Sequence, residues 1–574
     1  MRFVLAIVLF VVAFVAIGLG VAQRTIFLGP DHLTATVDVD AQAPFTVLDG
    51  ASLNSHDGRQ MISISGSGTV FMAYGRTDDV QAWVGDASST AVSYDADTQE
   101  LVADTIAGSE ATSPSPAGSD LWIQEFSGED ELVRNINVPA DVSVLIASDG
   151  TAAAPGEISV TWPLDNSTPW SSPLIVAGIG ALLLGLIALL WALVHARRRH
   201  GPRRKTPKMP KPPRPAQLKP APRRPAIAAG APVSRGRRRA FTALPLVLVG
   251  VVTLTACSAD GSLGPSATPA ATDAAVAEVD PPVVTERQFT RIVSEISEAV
   301  TAADEARDAT AAATRLAGPA LALRTANYTA RGTDAAIPAV AAFPTGTVEL
   351  ILPQQRHEWP RVVFATVPGD ADAEYAGMFV QDSPREQYKV HYLVRLTQSV
   401  PEVAPVELGS ARLAPDNKLL AYTPDQLAAE YGDILINGDA SEFADHFDAE
   451  NDILREKFGA DYKTQRRADL STATVDFTSQ VGDEEPYAFA TNDTGAIVAV
   501  DLRETETVRP AEAGAAINPS GAVKALSGKT TSTKGISAQY GMQVLFYVPP
   551  VTADDQTVRV LGFTQGLVAA AEVA

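Results

Sequence analysis

Hydrophobic positions are concentrated in three continuous runs of the chain, at 3–22, 174–194 and 241–256. A helix that crosses the hydrocarbon core of a membrane needs about 20 predominantly apolar residues, and the first two runs reach that length. The third run is shorter and contains Pro245, so it also has the length of a signal-peptide core. We predict three membrane segments, the first of them an uncleaved anchor or a signal peptide, at 1–23, 173–195 and 241–257.

Between the first two runs, apolar and polar residues alternate in short stretches separated by Gly, Asp, Asn and Ser. The stretches at 33–37, 60–64, 142–146 and 158–162 show this period of two. Such alternation is typical of strands that bury one face. The pattern predicts an all-β, sandwich-like outer domain over 30–165. Its aromatic residues are expected in the core rather than on a binding face, among them Trp83, Trp122 and Trp162.

After residue 283 the pattern changes twice from helical to strand-like periodicity. Thr285 and Gln288 have the spacing of a capping box and precede apolar residues at helical intervals, and Thr423 and Gln426 repeat this spacing. Short strand patterns follow each helical stretch. We therefore predict a C-terminal outer α+β region of two tandem units, each with helices first and an antiparallel sheet second, at 283–418 and 419–574.

Charge is distributed unevenly along the chain. The formal net charge is -22, yet the stretch from Arg197 to Arg239 holds sixteen Lys or Arg and no Asp or Glu. Its many prolines and few large apolar residues predict a disordered loop at 196–240. Basic loops stay in the cytoplasm, which places 24–172 and 258–574 outside the cytoplasmic membrane. We expect the loop to contact anionic lipid of the inner leaflet, and we predict no specific nucleic-acid partner.

The residues that end the third apolar run are Leu254, Thr255, Ala256 and Cys257, and Cys257 is the only cysteine of the chain. This four-residue pattern, behind a basic stretch and a short apolar run, resembles the lipobox of bacterial lipoproteins. The resemblance implies a diacylglycerol on the Cys257 sulfur, cleavage before this residue, and a tether at 258–282 that carries a lipid-anchored domain. The alternative is that Cys257 simply ends a third membrane helix. The Ala- and Val-rich composition resembles that of actinobacterial proteins.

The order of elements in the C-terminal region, helices followed by antiparallel strands, resembles the NTF2-like (cystatin-like) superfamily. Members of that superfamily use the concavity between helix and sheet to bind ligands, to catalyse reactions or to dimerise. For this chain, the resemblance implies candidate pocket residues in both units, namely His357, Trp359, Tyr388, His391, His446 and Tyr487.

Complete catalytic motifs are not found in the sequence. His357 and Glu358 begin like a zinc-protease helix, but Arg361 occupies the position of the second histidine. A single cysteine excludes a disulfide framework within the chain. We predict no catalytic residue, metal site or cofactor, and a role in which the outer domains bind a ligand or an envelope protein or glycan. The alternatives are an enzyme or enzyme accessory acting on cell-wall polymer or glycan, and a structural or signalling scaffold.

Overall fold

The computed structural model of the protein describes residues 2–39, 42–110, 113–199 and 282–574. The predicted basic loop beyond residue 199, the third apolar segment with Cys257, and the tether up to residue 281 lie outside the described residues.

The first helix, α1 (Arg2–Thr25), precedes a domain of strands, and α4 (Ser171–Arg199) follows that domain. We call residues 32–163 the N-terminal sheet domain. It contains the short helices α2 (Gly50–Leu53) and α3 (Thr77–Val84) and the strands β1 (His32–Asp38), β2 (Phe45–Leu48), β3 (Gln60–Arg76), β4 (Ser89–Asp95), β5 (Glu100–Ile106), β6 (Gln124–Ile136), β7 (Val142–Ala147) and β8 (Glu157–Pro163).

α1 and α4 are both long and apolar enough to cross a membrane. They pack closely through glycines of α4, because a Cβ atom built at Gly178 would lie 2.6 Å from Ile17 Cγ1, and one built at Gly185 would lie 3.3 Å from Leu9 Cβ. Small residues let two membrane helices approach in this way. The pairing of residue 17 with 178 and of residue 9 with 185 makes the two helices antiparallel.

The strands of the N-terminal sheet domain form one eight-stranded sheet in the order β1-β8-β3-β7-β2-β4-β5, with β6 beside β3. The pairs are antiparallel except β2 and β4, which are parallel. One core lies around Trp162 and a second around Trp83 and Trp122, and all three indole rings are buried. Alternation also marks 121–124 as a strand, but residues 121–123 form a turn before β6, which brings Leu121 and Trp122 into the second core.

Residues 282–574 form the C-terminal domain, which combines helices and strands. Its helices are α5 (Glu286–Ala306), α6 (Ala309–Ala312), α7 (Gly318–Thr333), α8 (Pro424–Asn437), α9 (Ile453–Phe458), α10 (Ala460–Asp469) and α11 (Gly521–Ser527). Its strands are β9 (Leu350–Pro353), β10 (Arg361–Pro368), β11 (Glu374–Gln381), β12 (Lys389–Leu396), β13 (Arg412–Leu413), β14 (Ala473–Val481), β15 (Tyr487–Ala490), β16 (Ala496–Pro510), β17 (Ile536–Val548) and β18 (Arg559–Glu572).

The two predicted helix starts differ in their capping. Thr285 accepts a hydrogen bond from the Gln288 backbone N–H, and the Gln288 side chain accepts one from the Thr285 backbone N–H, so the predicted capping box is confirmed. Thr423 also occupies an N-cap, but its side chain accepts no hydrogen bond from a backbone N–H of the helix. Its hydroxyl instead donates to Asp425, so the second predicted capping box is wrong.

Strands from both predicted α+β units belong to one ten-stranded sheet, in the order β13-β15-β16-β17-β18-β12-β11-β10-β9 with β14 beside β16. The two halves join where β12 pairs with β18 through only two residue pairs, Arg395 with Phe563 and Leu396 with Gly562. The sheet curls until its edges meet, since Ser410, just before β13, exchanges backbone hydrogen bonds with the end of β9.

This curled sheet has cores on both sides. Side chains of both halves share one core on one face, for example Phe364, Tyr392 and Leu545. The opposite face carries two separate cores, one under α5 and one under α8. The structure thus confirms the coarse prediction of an N-terminal β-sheet domain, a C-terminal α+β region and two long apolar helices.

Candidate functional site: an interdomain interface and a cationic cavity

The N-terminal sheet domain and the C-terminal domain meet at an interface that contains buried ion pairs. Arg361, the first residue of β10, donates from Nη2 to Asp79 Oδ1 at 2.6 Å, and the two side chains are 2% and 3% exposed. Asp79 lies in the first turn of α3, where the helix dipole favours a negative charge. The Arg361 guanidinium also lies 4.1 Å from the centre of the Trp359 ring, and Trp359 packs against the core around Trp83.

A second buried pair joins Asp120 to Arg315. Arg315 Nη1 lies 2.6 Å from Asp120 Oδ2, and the Tyr388 backbone N–H donates to the same oxygen at 2.7 Å. The Gln288 side chain donates to the carbonyls of Asp120 and Leu121. Burial raises the pKa of Asp120, and the Arg315 charge opposes this effect. The turn at 120–121 is therefore held by side chains and backbone of the other domain.

The third pair is bidentate. Arg385 donates to both oxygens of Glu110, at 2.5 and 2.8 Å, and also to the carbonyls of Trp83 and Val84. Hydrogen bonding to Arg385 lowers the pKa of Glu110. Planar guanidinium groups recognise carboxylates specifically because both N–H bonds must align at once.

In all three pairs the carboxylate belongs to the N-terminal sheet domain and the guanidinium to the C-terminal domain. Breaking a buried pair by removing one partner leaves an uncompensated charge, which costs more than the pair contributes as a whole. The pairs therefore specify one docking geometry between the two domains, whatever their net contribution to stability.

A separate cavity of about 600 Å³ lies in the C-terminal domain, at the junction of the two halves of the sheet. Tyr375, Arg395 and Phe563 are directly opposite one another on β11, β12 and β18, so their side chains lie side by side on one face of the sheet. Lys457 and Phe458, from the last turn of α9, complete the wall. Neither Arg395 nor Lys457 has a carboxylate partner among the described residues.

This cavity combines two cations with three aromatic rings. The Phe458 and Phe563 rings contact each other edge to face at 6.4 Å. Both phenylalanines are partly exposed, although burial of apolar side chains away from water is favourable. A ligand that fits must offer a negative charge to Arg395 and Lys457 and an apolar or flat face to the rings.

The six candidate pocket residues from the sequence do not form one site. His391 and Tyr487 come together, since His391 Nδ1 lies 2.6 Å from Glu484 Oε1 and the Tyr487 hydroxyl donates to the same oxygen at 3.3 Å. Trp359 and Tyr388 contribute to the interdomain interface. His446 stacks on Tyr422 at 4.2 Å and contacts Glu430.

The last of the six, His357, lies in the loop between β9 and β10. The sequence interpretation missed the residues that organise each site, namely the interface carboxylates and arginines, the pair Arg395 and Lys457, and Glu484. No group of three or more His, Cys, Asp or Glu residues that could hold a metal ion occurs in the part of the chain that the structure describes.

Asp501, on β16, is a buried carboxyl group near the His391 cluster. Burial raises its pKa to about 6, and the nearest guanidinium nitrogen, of Arg503, is 3.9 Å away. A Cβ atom at Gly482 would lie 2.0 Å from a carboxylate oxygen of Asp501. A residue without a side chain is therefore required at position 482, where the backbone passes close to the carboxyl group. The sequence interpretation did not identify Gly482.

Comparison with protein families gives one match, to the model described as "Domain of unknown function (DUF8094)", over residues 280–572. This range covers nearly all of the C-terminal domain and none of the N-terminal sheet domain. Comparison with curated proteins and with solved structures finds no match.

Proposed function

This chain belongs to the DUF8094 family, and we propose that it is a membrane-anchored cell-envelope protein whose C-terminal domain binds an anionic ligand with an apolar or flat face. The observation that carries the proposal is the cavity between the two halves of the sheet, with Arg395, Lys457 and the rings of Tyr375, Phe458 and Phe563 in its walls. Ligand sites are typically concave and largely apolar, with a few charged groups that fix orientation.

The two apolar helices support anchoring, and the interdomain interface supports an arrangement with both domains on one side of the membrane. Domains in contact must lie in the same compartment. If α4 crosses the membrane once after the N-terminal sheet domain, the chain must cross again before the C-terminal domain begins at residue 282. The run at 241–256 has the composition to do so, either as a third membrane segment or as a lipoprotein-type signal that ends at Cys257.

The basic loop then lies in the cytoplasm, next to anionic inner-leaflet lipid. Single-cysteine labelling tests this arrangement in a Cys257→Ala background. With a membrane-impermeant maleimide on intact, wall-stripped cells, Val102→Cys and Val551→Cys react, because both positions are exposed in the two domains. Thr206→Cys reacts only after permeabilisation. Labelling of Thr206→Cys alone in intact cells contradicts the arrangement.

Ligand binding is tested on the purified full chain by calorimetric titration with three probes. Dihexanoyl phosphatidylglycerol offers a charge and short acyl chains, glycerol 1-phosphate offers a charge alone, and dihexanoyl phosphatidylcholine offers a zwitterion of similar shape. We expect binding of the first probe and weaker binding of the other two. Equal binding of glycerol 1-phosphate assigns the site to phosphorylated polymer or free phosphate rather than to lipid.

Substitutions locate the binding site. Arg395→Ala and Lys457→Ala each remove one cation, and loss of one charge-assisted contact is worth about 1.5 to 3 kcal/mol, which is roughly a tenfold or greater loss of affinity. Lys418→Ala is the matched control, because Lys418 is an exposed cation outside this cavity. Unchanged affinity in both cavity variants, or no binding of any probe, overturns the proposal.

An enzymatic or accessory role on cell-wall polymer or glycan is the second candidate. The observation that favours it is the buried arrangement of His391, Glu484 and Tyr487, because a carboxylate that orients an imidazole is a common general-base arrangement. His391→Gln and Glu484→Gln would then abolish complementation of a deletion strain while leaving folding intact. Full complementation by both variants excludes this role and leaves the binding function.

The resemblance to NTF2-like domains remains a proposal about the order of elements in each half of the C-terminal domain. A structural or signalling scaffold is the third candidate, which the interdomain interface favours. Deletion of residues 201–236 distinguishes it, because a scaffold loses its cytoplasmic contact whereas ligand binding by the C-terminal domain is unaffected.

A further inference from the structure

We propose that the N-terminal sheet domain and the C-terminal domain bind each other as separate molecules do, so that a chain cut between residues 200 and 281 stays together as a heterodimer. Arg315, Arg361 and Arg385 of the C-terminal domain therefore have residues 32–163 as their binding partner. This holds whether or not the two domains are still covalently joined. This inference does not depend on the ligand proposed for the cavity.

Each side of the interface has the organisation of an independent folding unit. The eight-stranded sheet belongs entirely to the N-terminal sheet domain and the ten-stranded sheet entirely to the C-terminal domain. The cores separate in the same way, and Trp359 is the exception among the described residues, since it packs from the C-terminal domain against the core around Trp83. A single aromatic anchor in a partner's pocket is a usual feature of protein–protein interfaces.

The polar contacts also resemble those between two proteins. The three ion pairs have the same polarity, with Asp79, Glu110 and Asp120 on one side and arginines on the other. Complementary potentials of this kind steer association and reject wrong partners. The Arg76 side chain adds a bond to the Pro282 carbonyl, and Arg291 donates to the Trp122 carbonyl at 2.9 Å.

The position of Cys257 gives this interface a specific role. Cleavage before Cys257, which the lipobox-like sequence implies, would divide the chain into one product with the N-terminal sheet domain and another with the C-terminal domain. The peptide bond that breaks lies between the two partners in sequence and outside both folded domains. The interface then keeps the two products in one complex at the membrane.

A site-specific cut in the full chain tests the inference. A tobacco etch virus protease site is inserted between Ser266 and Ala267. The Cys257→Ala background removes the lipobox cysteine, so that the chain is cut only at the inserted site. All three apolar runs remain on the N-terminal fragment, and a shared detergent micelle therefore cannot hold the fragments together. After cleavage, the C-terminal fragment is captured by a tag after Ala574. We expect most of the N-terminal fragment to be retained, and its release overturns the inference.

Charge reversal shows whether retention uses the observed interface. Arg385→Glu places two carboxylates together at a pair whose side chains are 24% and 28% exposed. We expect dissociation about tenfold faster or more, because loss of a shielded, bidentate charge pair acts mainly on the dissociation rate. The double variant Glu110→Arg with Arg385→Glu restores the ion pair and with it part of the retention, because a carboxylate at position 385 cannot donate to the Trp83 and Val84 carbonyls. Arg509→Glu is the matched control, since Arg509 pairs with Asp476 inside the C-terminal domain.

If Arg385→Glu alone fails to fold, Arg385→Lys serves instead, because it keeps the charge but loses the bidentate geometry. For Arg385→Lys, we expect the retained fraction of the N-terminal fragment to be smaller than for wild type but above zero. Wild-type retention for the folded variants Arg385→Glu and Arg385→Lys overturns the inference. Since the probes for the cavity are titrated separately, failure here leaves the ligand proposal standing, and failure of the ligand proposal leaves this inference standing.

Discussion

Arg361 and Asp79 form an ion pair of 2.6 Å in which both side chains are almost completely buried, although one belongs to the C-terminal domain and the other to the N-terminal sheet domain. Transfer of two charges out of water is costly, and only close contact between them compensates for it. The residues are 282 positions apart in the chain, so their meeting depends entirely on the docking of two separately formed domains.

Removal of one partner of this pair is predicted to destabilise the protein strongly. Asp79→Leu leaves the Arg361 charge buried without its carboxylate, which costs about 3 to 5 kcal/mol. Arg361→Met leaves Asp79 with the charge of Arg76, so its cost should lie at the lower end of this range. The double variant Arg361→Met with Asp79→Leu removes both charges and should recover most of this loss. Urea denaturation of the purified full chain measures the effect.

Arg356→Ala is the control for this cycle. Arg356 and Glu358 form an exposed pair at 3.9 Å, with side chains 80% and 75% exposed, and such pairs contribute about 0 to 1 kcal/mol. A single Arg361 variant as stable as the Arg356 variant would mean that the two domains do not dock as described.

The interface explains which part of the structure the sequence could predict. Alternation and helical spacing depend on which face of an element is buried, so they identified the strands around 60–64 and the helix that begins after Thr285. The same patterns carry no information about which buried face meets another domain. Arg361 and Arg385 in the sequence are ordinary charged residues next to strands, and their partners are fixed only by tertiary structure.

The candidate pocket also shows that local sequence patterns do not predict contacts between distant elements. Sequence reasoning selected aromatic and histidine residues in each half separately, and only His391 and Tyr487 meet. The cavity instead uses Tyr375, Arg395 and Phe563, which become neighbours because β12 and β18 pair. That pairing joins residues about 170 positions apart and has no local signal in the sequence.

Helix capping at Thr285 is predicted to stabilise α5 by a measurable amount. Thr285→Ala removes the bond to the Gln288 backbone N–H, and loss of such a cap costs about 1 kcal/mol. Thr423→Ala is a matched control at the start of α8, because Thr423 occupies the same position without a capping bond. Thermal unfolding of the full chain should show a lower midpoint for Thr285→Ala than for Thr423→Ala, and equal midpoints would contradict the capping geometry.

Asp501 is predicted to make stability depend on pH between about 4 and 6. Because burial raises its folded-state pKa to about 6, the folded protein binds a proton in this range that the unfolded chain has released. Stability therefore falls as pH rises through this window and is constant with respect to Asp501 above it. The total effect is about 2 to 3 kcal/mol at 1.36 kcal/mol per pKa unit.

The variant Asp501→Asn keeps the shape of the protonated acid and removes the titration. We expect it to raise the urea midpoint at pH 7.5 and to change it little at pH 4.5. Asp554→Asn is the control, since Asp554 is exposed and is not among the charges that act on Asp501, so its effect should be similar at both values. A stabilisation by Asp501→Asn that is the same at pH 4.5 and 7.5 would show that the carboxyl group does not titrate in this window.

Close packing of α1 against α4 is predicted to depend on Gly178 and not on Gly180. A side chain at Gly178 would meet Ile17 and the α1 backbone within about 3 Å, whereas a Cβ atom at Gly180 has no atom within 4 Å.

The reporter of this packing is a disulfide between Leu9→Cys and Gly185→Cys in a Cys257→Ala background. The two Cβ positions are 3.3 Å apart, which is close to the spacing that disulfides require. Mild oxidation of membranes should link this pair efficiently, with Gly178→Val slowing the reaction severalfold and Gly180→Val leaving it unchanged. Equal rates in the two valine variants would mean that the helices do not pack through Gly178.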